Sequence, residues 1–169
     1  LGDVYKRQEI LYSVKKYLNL ANRMPSPFAN TLYDPDAASC PAVACHLDFV
    51  EYEAEVPVHT HRKGQLIIVL YGAVSCRAEN NLWIVPPRCA VWIPGGIPHS
   101  VSATWNARLN YLFIEPGAAA LPGSCCTLAL SPLIHELVER LTHEGADYVA
   151  DSHAGRLTRV TLDELATMP

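Results

Sequence analysis

Three histidines and one glutamine lie in two short segments that could together bind a ligand. His59 and His61 are one residue apart, and Gln65 follows after a short turn in the segment HTHRKGQ. On a β-strand, side chains two residues apart point to the same face, so we expect the two imidazoles to point together. His99 belongs to a second segment, IPGGIPHS. We expect these four side chains to converge on one pocket.

Four such groups can do two kinds of chemistry. Imidazole nitrogens and an amide oxygen can form the ligand shell of a divalent transition metal. The same groups can instead form hydrogen bonds to a small molecule without a metal. Gln65 favours the second interpretation, because its amide brings no negative charge to a cation, whereas a carboxylate would. We therefore expect His59, His61, Gln65 and His99 to bind a small-molecule effector, with a divalent metal as the alternative ligand.

Two aromatic residues are also predicted to be ligand-binding. Tyr71 ends the run QLIIVLY, and Trp92 lies in the run CAVWI. A flat aromatic wall in a barrel suits an apolar effector. For Trp92, packing in the protein core is the alternative that its apolar neighbours favour.

The segments that carry these residues have the pattern of an all-β domain. From about residue 43 to residue 115, short apolar or alternating runs are separated by clusters of Gly, Pro and Asn. Residues 43–58 include alternation typical of a strand with one face in water. Residues 65–71 are nearly continuously apolar, as expected of a strand covered on both faces. Many short strands without long intervening helices indicate antiparallel pairing.

Helical patterns follow the strands. After residues 116–126, which are rich in small residues, the hydrophobic period changes from two to 3.6. Ser131 and Pro132 are typical of a helix N-cap followed by proline in the first turn. A second helix is expected to begin near Ser152. Its apolar stripe is predicted to contact a partner chain, which suggests a homodimer; the stripe consists of Leu157, Val160, Leu165 and Met168.

The chain is expected to divide into three parts. Residues 1–24 form an N-terminal extension, and residues 1–8 (LGDVYKRQ) are interpreted as a sequencing artefact, with Met24 as the expected start. Residues 25–120 are predicted to form the barrel. Residues 127–169 are predicted to be a helical segment for coupling or dimerisation.

Composition argues against several functions. The net charge is −4 and the 13 Lys and Arg residues are scattered, so this chain is not expected to bind nucleic acid by itself. No apolar run is long enough to span a bilayer, and the N-terminal pattern is not that of a secretory signal. We therefore expect a cytoplasmic protein with no membrane partner. The six cysteines include no CxxC pair and are expected to be reduced, small apolar residues.

The two histidine segments resemble the two motifs of the cupin superfamily. HxHxxxQ is followed by Gly72, and Pro94-Gly95-Gly96 is followed three residues later by His99. The resemblance implies a mainly β fold, a cupin-type antiparallel β-barrel (jelly roll) followed here by two C-terminal α-helices. It also implies a metal site of three histidines and one carboxylate. This chain departs from that pattern, since Gln65 replaces the carboxylate and Arg88 stands where a glycine commonly opens the second motif.

A narrower resemblance covers about residue 24 to the end of the chain. The strings PVHTHRKGQLIIVLYGAV, WIVPPRCAVWIPGGIPHSV and SPLIHELVERL are similar to the N-terminal sensing domain of AraC-family transcription regulators. The resemblance implies an effector-binding barrel, a helical pair for dimerisation or coupling, and DNA binding through helix-turn-helix units that are absent from this chain. The implied function is to regulate transcription in response to a small molecule, without catalysis.

Two other functions fit the same residues. The histidines could hold the metal of a cupin enzyme, such as a dioxygenase or an isomerase. The barrel could also be a small binding module with no output domain. We expect the sensor function ahead of both.

Overall fold

The computed structural model describes residues 34–49 and 54–168. The proposals for residues 1–24 and for the alternation around Val50 and Tyr52 lie outside the described residues. A short 3₁₀ helix, Pro35–Ala37, precedes the first strand. The described strands are β1 (Ala42–Asp48), β2 (Ala54–His59), β3 (Gly64–Tyr71), β4 (Val74–Ala78), β5 (Asn81–Val85), β6 (Ala90–Ile93), β7 (His99–Ala103), β8 (Arg108–Ile114) and β9 (Cys126–Leu128). The helices are α1 (Pro132–Leu141) and α2 (His153–Ala166).

The strands form two antiparallel sheets. One sheet has the order β1-β8-β3-β6-β9, and the other has the order β2-β7-β4-β5. Neighbouring strands in both sheets are mostly far apart in sequence, as in a jelly roll, where the chain crosses repeatedly between sheets. The predicted fold class, a mainly β antiparallel fold followed by two helices, is confirmed.

Strand β3 lies at the centre of the larger sheet and is buried on both faces. It pairs with β8 on one side and with β6 on the other. Its residues alternate between the two faces, so Gln65 and Ile67 point away from the helices, while Leu66 and Ile68 belong to the core beneath them. Because both faces of β3 are buried, its sequence is apolar along nearly its whole length.

The two helices cover the outer face of the five-stranded sheet. The side chain of Ser131 accepts a hydrogen bond from the backbone N–H of Ile134, which forms the predicted N-cap. The side chain of Ser152 accepts one from Gly155 and caps the helix that was expected to begin near it. In the part of the chain that the structure describes, neither helix is both long and apolar enough to cross a membrane.

The apolar stripe of α2 does not face outward as predicted. Leu165 is buried, and Leu157 and Met168 pack against the same core as the sheet. Val160 is the exception, since 43% of its surface is exposed. The stripe therefore packs against the chain's own sheet, because the outer face of that sheet is apolar and has to be covered.

Strand β9 begins at the last residue of the stretch rich in small residues, 116–126, and continues into the segment that was predicted to be helical. Residues Cys126–Leu128 pair with β6 and extend the larger sheet beyond the predicted barrel boundary at residue 120. Three residues with the sequence CTL carry no detectable periodicity, so this strand is defined by its pairing partner.

The cysteines behave as packing residues. All six are free thiols, and Cys40, Cys45, Cys76 and Cys125 are buried. Burial raises the pKa of the Cys76 thiol to about 11 and that of the Cys125 thiol to about 12. These two thiols therefore stay protonated at neutral pH, which makes them poor nucleophiles.

Gly64 permits a close contact between β3 and Trp92. A Cβ atom added at Gly64 would lie 2.1 Å from Cη2 of the Trp92 indole, whose Nε1–H donates to the carbonyl oxygen of Pro122 over 2.8 Å. Gly64→Ala should therefore lower the free energy of unfolding by about 2 kcal/mol, because the ring has to move out of a packed position. Urea denaturation measures this change. Gly123→Ala, where an added Cβ has no neighbour within 4 Å, should change it by less than about 0.5 kcal/mol.

Candidate functional site

The predicted site residues come from both sheets and the loop between β2 and β3. His59 ends β2 and, after a shift in register that follows Val56, pairs with His99, the first residue of β7. Gln65 lies near the start of β3, and His61 lies in the preceding loop. Antiparallel pairing brings the end of one strand beside the start of its neighbour, so the two distant segments meet at one end of the sheets.

The structure brings these four side chains together. The imidazole centroids of His59 and His99 are 4.3 Å apart, those of His61 and His99 are 5.0 Å apart, and those of His59 and His61 are 5.6 Å apart. One ring nitrogen from each histidine lies within 4.8 Å of the others. Oε1 of Gln65 lies 2.8 Å from Nε2 of His61 and 3.0 Å from Nε2 of His99.

Backbone carbonyl groups orient all three imidazole rings. Nδ1 of His59 lies 2.9 Å from the carbonyl oxygen of Pro57. Nδ1 of His61 lies 2.5 Å from that of Lys63, and Nδ1 of His99 lies 2.8 Å from that of Ile97. A carbonyl oxygen accepts hydrogen bonds and cannot donate, so each Nδ1 carries the hydrogen. In a neutral ring, Nε2 then keeps its lone pair for a ligand.

Burial keeps His99 neutral. Its residue surface is 1% exposed, and burial lowers the pKa of His99 to about 4, with a smaller effect in the same direction from the nearby His59 and His61. Gln65 is buried as well, at 3% exposed, whereas His59 and His61 are partly exposed. The site is therefore closed at its base and open on the side of the β2–β3 loop.

The β2–β3 loop is held by a carboxylate from the 3₁₀ helix. Asp36 accepts hydrogen bonds from the backbone N–H groups of Arg62, over 2.5 Å, and of Lys63, over 2.9 Å. Burial by itself would raise the pKa of Asp36, but these two backbone hydrogen bonds and the Arg62 charge lower it. Asp36 therefore stays ionised and positions the loop that carries His61.

Lys63 anchors the same loop from inside the protein. Its side chain is fully buried, and Nζ donates to the carbonyl oxygen of Ala38 over 2.5 Å and to Oε2 of Glu115 over 2.9 Å. Arg62 forms an ion pair with the other carboxylate oxygen of Glu115. Burial lowers the pKa of Lys63. Sequence reasoning missed this residue, because its partners lie 25 and 52 positions away and no local pattern marks them.

The β6–β7 loop supports His61 from the other side. The backbone N–H of Gly96 donates to the carbonyl oxygen of His61 over 2.8 Å. A Cβ atom added at Gly95 would lie 1.9 Å from the carbonyl oxygen of Arg62, so the two loops approach as closely as backbones can. This contact explains Gly95, whereas Gly96 is explained by its positive φ of 81°, which favours glycine.

Trp92 and Tyr71 do not join the histidines. Trp92 pairs with Leu66 and packs in the core beneath the helices, on the opposite face of the sheet from Gln65. Tyr71 is 60% exposed at the other end of β3, beyond a shift in register after Val69. The prediction that these two side chains line the pocket is therefore corrected.

The aromatic neighbour of the site is Phe113 on β8. Its ring centroid lies 5.4 Å from that of His61, at an interplanar angle of 83°. Phe113 is the residue paired with Gln65 across β8 and β3, so both point to the same face. The alternation of RLNYLFI was too weak to show which of its aromatic residues would lie beside the histidines.

The donor set suits a late divalent transition metal better than a hard cation. Among the described residues, the clustered His, Cys, Asp or Glu side chains that could hold an ion are His59, His61 and His99. Imidazole nitrogens and an amide oxygen suit ions such as Zn²⁺ or Co²⁺, whereas Mg²⁺ and Ca²⁺ prefer carboxylate and carbonyl oxygens. The residues present therefore fit such a metal, although without the negative charge that a carboxylate would add.

Two antiparallel sheets with clustered histidines at one end define a cupin-type binding barrel. Residues 46–157 match the model of the AraC-like ligand binding domain, and the chain belongs to this family. Both resemblances seen in the sequence are thereby confirmed. The chain is 48% identical over 137 residues to the HTH-type transcriptional regulator NimR of Escherichia coli strain K12, an alignment that covers 81% of this chain and 50% of NimR. The chain thus spans about half the length of that relative.

Solved structures are similar to this chain, and the first of the two that follow shares its fold. Apo ToxT from Vibrio cholerae strain SCE256 superposes with a TM-score of 0.52 at 7% identity, covering 73% of this chain and 53% of that chain. An RmlC-like cupin from Shewanella frigidimarina superposes with a TM-score of 0.41 at 20% identity, covering 44% of this chain and 67% of that chain.

Proposed function

We propose that this chain is the effector-sensing domain of an AraC-family DNA-binding transcription regulator, and that its effector binds at His59, His61, Gln65 and His99. The observation that carries this proposal is the position of β3. Gln65 contacts the histidines on one face of the strand, while the next residue, Leu66, packs beneath the helices on the other. A ligand that displaces Gln65 therefore acts on a strand that also supports the helices.

Strand β8 connects the same two regions. Phe113 lies against His61, and its neighbours Leu112 and Ile114 belong to the core shared with α1 and α2. Asn110, which is 1% exposed, donates from Nδ2 to Oε2 of Glu139 on α1 over 2.7 Å. Ligand binding can change the arrangement of the helices if the ligand binds one arrangement more tightly than the other.

The partners follow from this function. NimR carries the name of a helix-turn-helix regulator, and the chain matches half of it. We propose that DNA is bound by a part of the protein outside the present chain, that the regulator works in the cytoplasm, and that it is a homodimer. Because most of the α2 stripe is buried within the chain, that stripe no longer supports the dimer. The dimer is tested by light scattering.

Ligand binding is tested with thermal unfolding of the purified chain. Co²⁺ is a suitable first probe, because its absorption spectrum distinguishes nitrogen and oxygen ligands from thiolates. At one hundred times its Kd, a ligand that binds the folded state alone stabilises it by about 2.7 kcal/mol. We expect this stabilisation in the wild-type chain and its loss in the double variant His59→Ala, His99→Ala. His143→Ala, which removes an exposed histidine on the helical side, should retain it.

Sensing is tested with a chimera that joins this chain to the half of NimR that it does not match. Transcription from a NimR-dependent promoter should respond to the ligand found by thermal unfolding, and His99→Ala should abolish the response. A response of equal size in the His99→Ala chimera would show that the histidine site is not the sensor.

A second function, that of a metal-dependent enzyme, is favoured by one observation. The three histidine nitrogens within 4.8 Å of one another are the kind of donor set that holds a catalytic metal. His59, His61, His99 and Gln65 would hold the ion, which would supply Lewis-acid or redox chemistry when bound. Turnover of a small molecule by the Co²⁺-loaded or Fe²⁺-loaded chain, lost in His99→Ala, would favour the enzyme over the sensor.

A further inference from the structure

Around Gln65, the rings of His61 and His99 face more oxygen acceptors than a neutral imidazole has N–H groups. A change in the Gln65 side chain can remove this mismatch. His61 and His99 each have Nδ1 against a backbone carbonyl oxygen and Nε2 against Oε1 of Gln65. Each ring therefore faces two oxygen acceptors. A neutral imidazole has a single N–H, so it can donate to one of these oxygens and directs a lone pair at the other.

Charging the rings is an unfavourable solution. An imidazolium has two N–H groups and could donate on both sides. The centroids of His61 and His99 are 5.0 Å apart, and His59 lies 4.3 Å from His99, so two cations would repel each other in a buried place. Glu115, whose carboxylate could have balanced the charge, pairs with Arg62 and Lys63 instead.

Moving the hydrogen from Nδ1 to Nε2 of each ring still leaves one ring nitrogen with its lone pair directed at an oxygen acceptor. With hydrogen on Nε2, both rings could donate to Oε1 of Gln65. Their Nδ1 lone pairs would then face the carbonyl oxygens of Lys63 and Ile97 at 2.5 and 2.8 Å. Those carbonyl groups belong to the backbone and cannot turn away.

Turning the amide over satisfies both rings. The two ends of a side-chain amide have nearly the same shape, so the exchange of oxygen and nitrogen leaves the other atoms in place. The NH₂ group then donates one hydrogen to Nε2 of His61 and the other to Nε2 of His99. Both rings keep Nδ1–H for the backbone and remain neutral.

We propose that Gln65 is the specificity-determining residue of this site, donating from its amide NH₂ to Nε2 of both His61 and His99 when no ligand is bound. A ligand for the histidines has to displace these two hydrogen bonds. The nitrogens that it meets are lone-pair donors, so the site takes a cation or a molecule with N–H or O–H groups, and disfavours anions. A glutamate at position 65 could not donate in this way, because a carboxylate at neutral pH accepts hydrogen bonds alone.

This proposal deepens the proposed function by naming the ligand class, and its main test is independent of that function. Nitrogen-15 NMR of the chain at pH 7.5 with no added metal reports the tautomer of each histidine and the exchange of the Gln65 amide hydrogens. We expect unprotonated Nε2 on His61 and His99, together with slowly exchanging Gln65 amide hydrogens. A protonated Nε2 on either ring, or a freely exchanging Gln65 amide, overturns the proposal.

The amide of Asn110 provides an internal comparison. Its Nδ2 donates to the carboxylate of Glu139, so its Oδ1 is the group that faces Nδ1 of His46, at 2.7 Å. The orientation of this amide is set by a partner that cannot donate. Nε2 of the same ring lies 3.0 Å from Oδ1 of Asp48, so His46 faces an acceptor on each side. Unlike Gln65, Asn110 cannot exchange its oxygen and nitrogen, because its Nδ2 is held by the Glu139 carboxylate.

A metal titration tests the consequence for ligand choice. Gln65→Glu removes the two donated hydrogen bonds and adds a negative charge, so its Kd for Co²⁺ should fall at least about tenfold. Asn106→Asp adds the same charge in the β7–β8 turn, at the opposite end of β7 from His99, and should leave the Kd unchanged. Acetate, as an anion probe, should not raise the Tm of the wild-type chain. An equal Kd for Gln65→Glu, or an acetate effect that requires His99, overturns the assignment.

Discussion

Replacing Lys63 with methionine should lower the free energy of unfolding by about 3 kcal/mol, because the change leaves buried partners without a donor. Methionine nearly fills the volume of the lysine stem but cannot donate to the carbonyl oxygen of Ala38 or to Glu115. Glu115 keeps its ion pair with Arg62, which limits the loss of stability. Urea denaturation at pH 7.5 measures the change, and the same variant should bind Co²⁺ more weakly because the His61 loop is less well held.

Arg62 provides the matched control for Lys63. Both side chains contact Glu115 from adjacent positions, but half of the Arg62 side chain is exposed, whereas that of Lys63 is fully buried. Exposed ion pairs contribute little, so Arg62→Met should lower stability by less than about 1 kcal/mol. The double variant Lys63→Met, Glu115→Gln should be more stable than Lys63→Met, since the Glu115 oxygen that faced Lys63 is then no longer a charged acceptor without a donor. Equal losses for Lys63→Met and Arg62→Met would contradict this account of the loop.

Acid should destabilise the ligand-free domain through His99. Its pKa is lowered to about 4 in the folded state, against 6.5 for an exposed histidine. Between these values the unfolded chain binds more protons than the folded chain, so stability rises with pH across this window and is lost as pH falls through it. From pH 7.5 to pH 4.5 this residue alone should remove about 2 to 3 kcal/mol of stability.

The difference between two unfolding curves isolates the His99 contribution. His99→Gln keeps a polar group of similar size but cannot titrate, so the loss of stability between pH 7.5 and pH 4.5 should be smaller in this variant. The other residues are the same in both proteins, so the difference between the two curves reports on His99. His143→Ala, which lacks an exposed histidine, should follow the wild-type curve. Parallel curves for wild type and His99→Gln would show that His99 is not held neutral.

The elements of this fold were predictable wherever the cause is local. The caps at Ser131 and Ser152 need a side chain and a backbone N–H three residues away, so sequence alone could predict them. The continuous apolar run of β3 also predicted a strand buried on both faces. Strand β9 was missed, because its three residues form a strand through pairing with β6 and have no pattern of their own.

The candidate site was predictable in its histidines and not in its surroundings. The HxH spacing placed His59 and His61 on one side of the chain, and the resemblance to cupins connected them with Gln65 and His99. The sequence did not show on which face of the sheet Trp92 would lie, since CAVWI is apolar throughout and does not alternate. Its pairing with Leu66 places it beneath the helices. The stripe on α2 predicted an apolar contact correctly, but a stripe does not indicate whether the partner is the same chain or another.

The sequence by itself determined the type of most elements and the identity of the four polar side chains at the site, because periodicity, capping and motif spacing act over a few residues. The tertiary structure decided how these side chains are used. It directs each Nδ1 to a backbone carbonyl group, buries His99 so that it stays neutral, and closes the loop with Asp36 and Lys63. These effects depend on burial and on contacts between groups tens of residues apart, which are formed when the sheets pack.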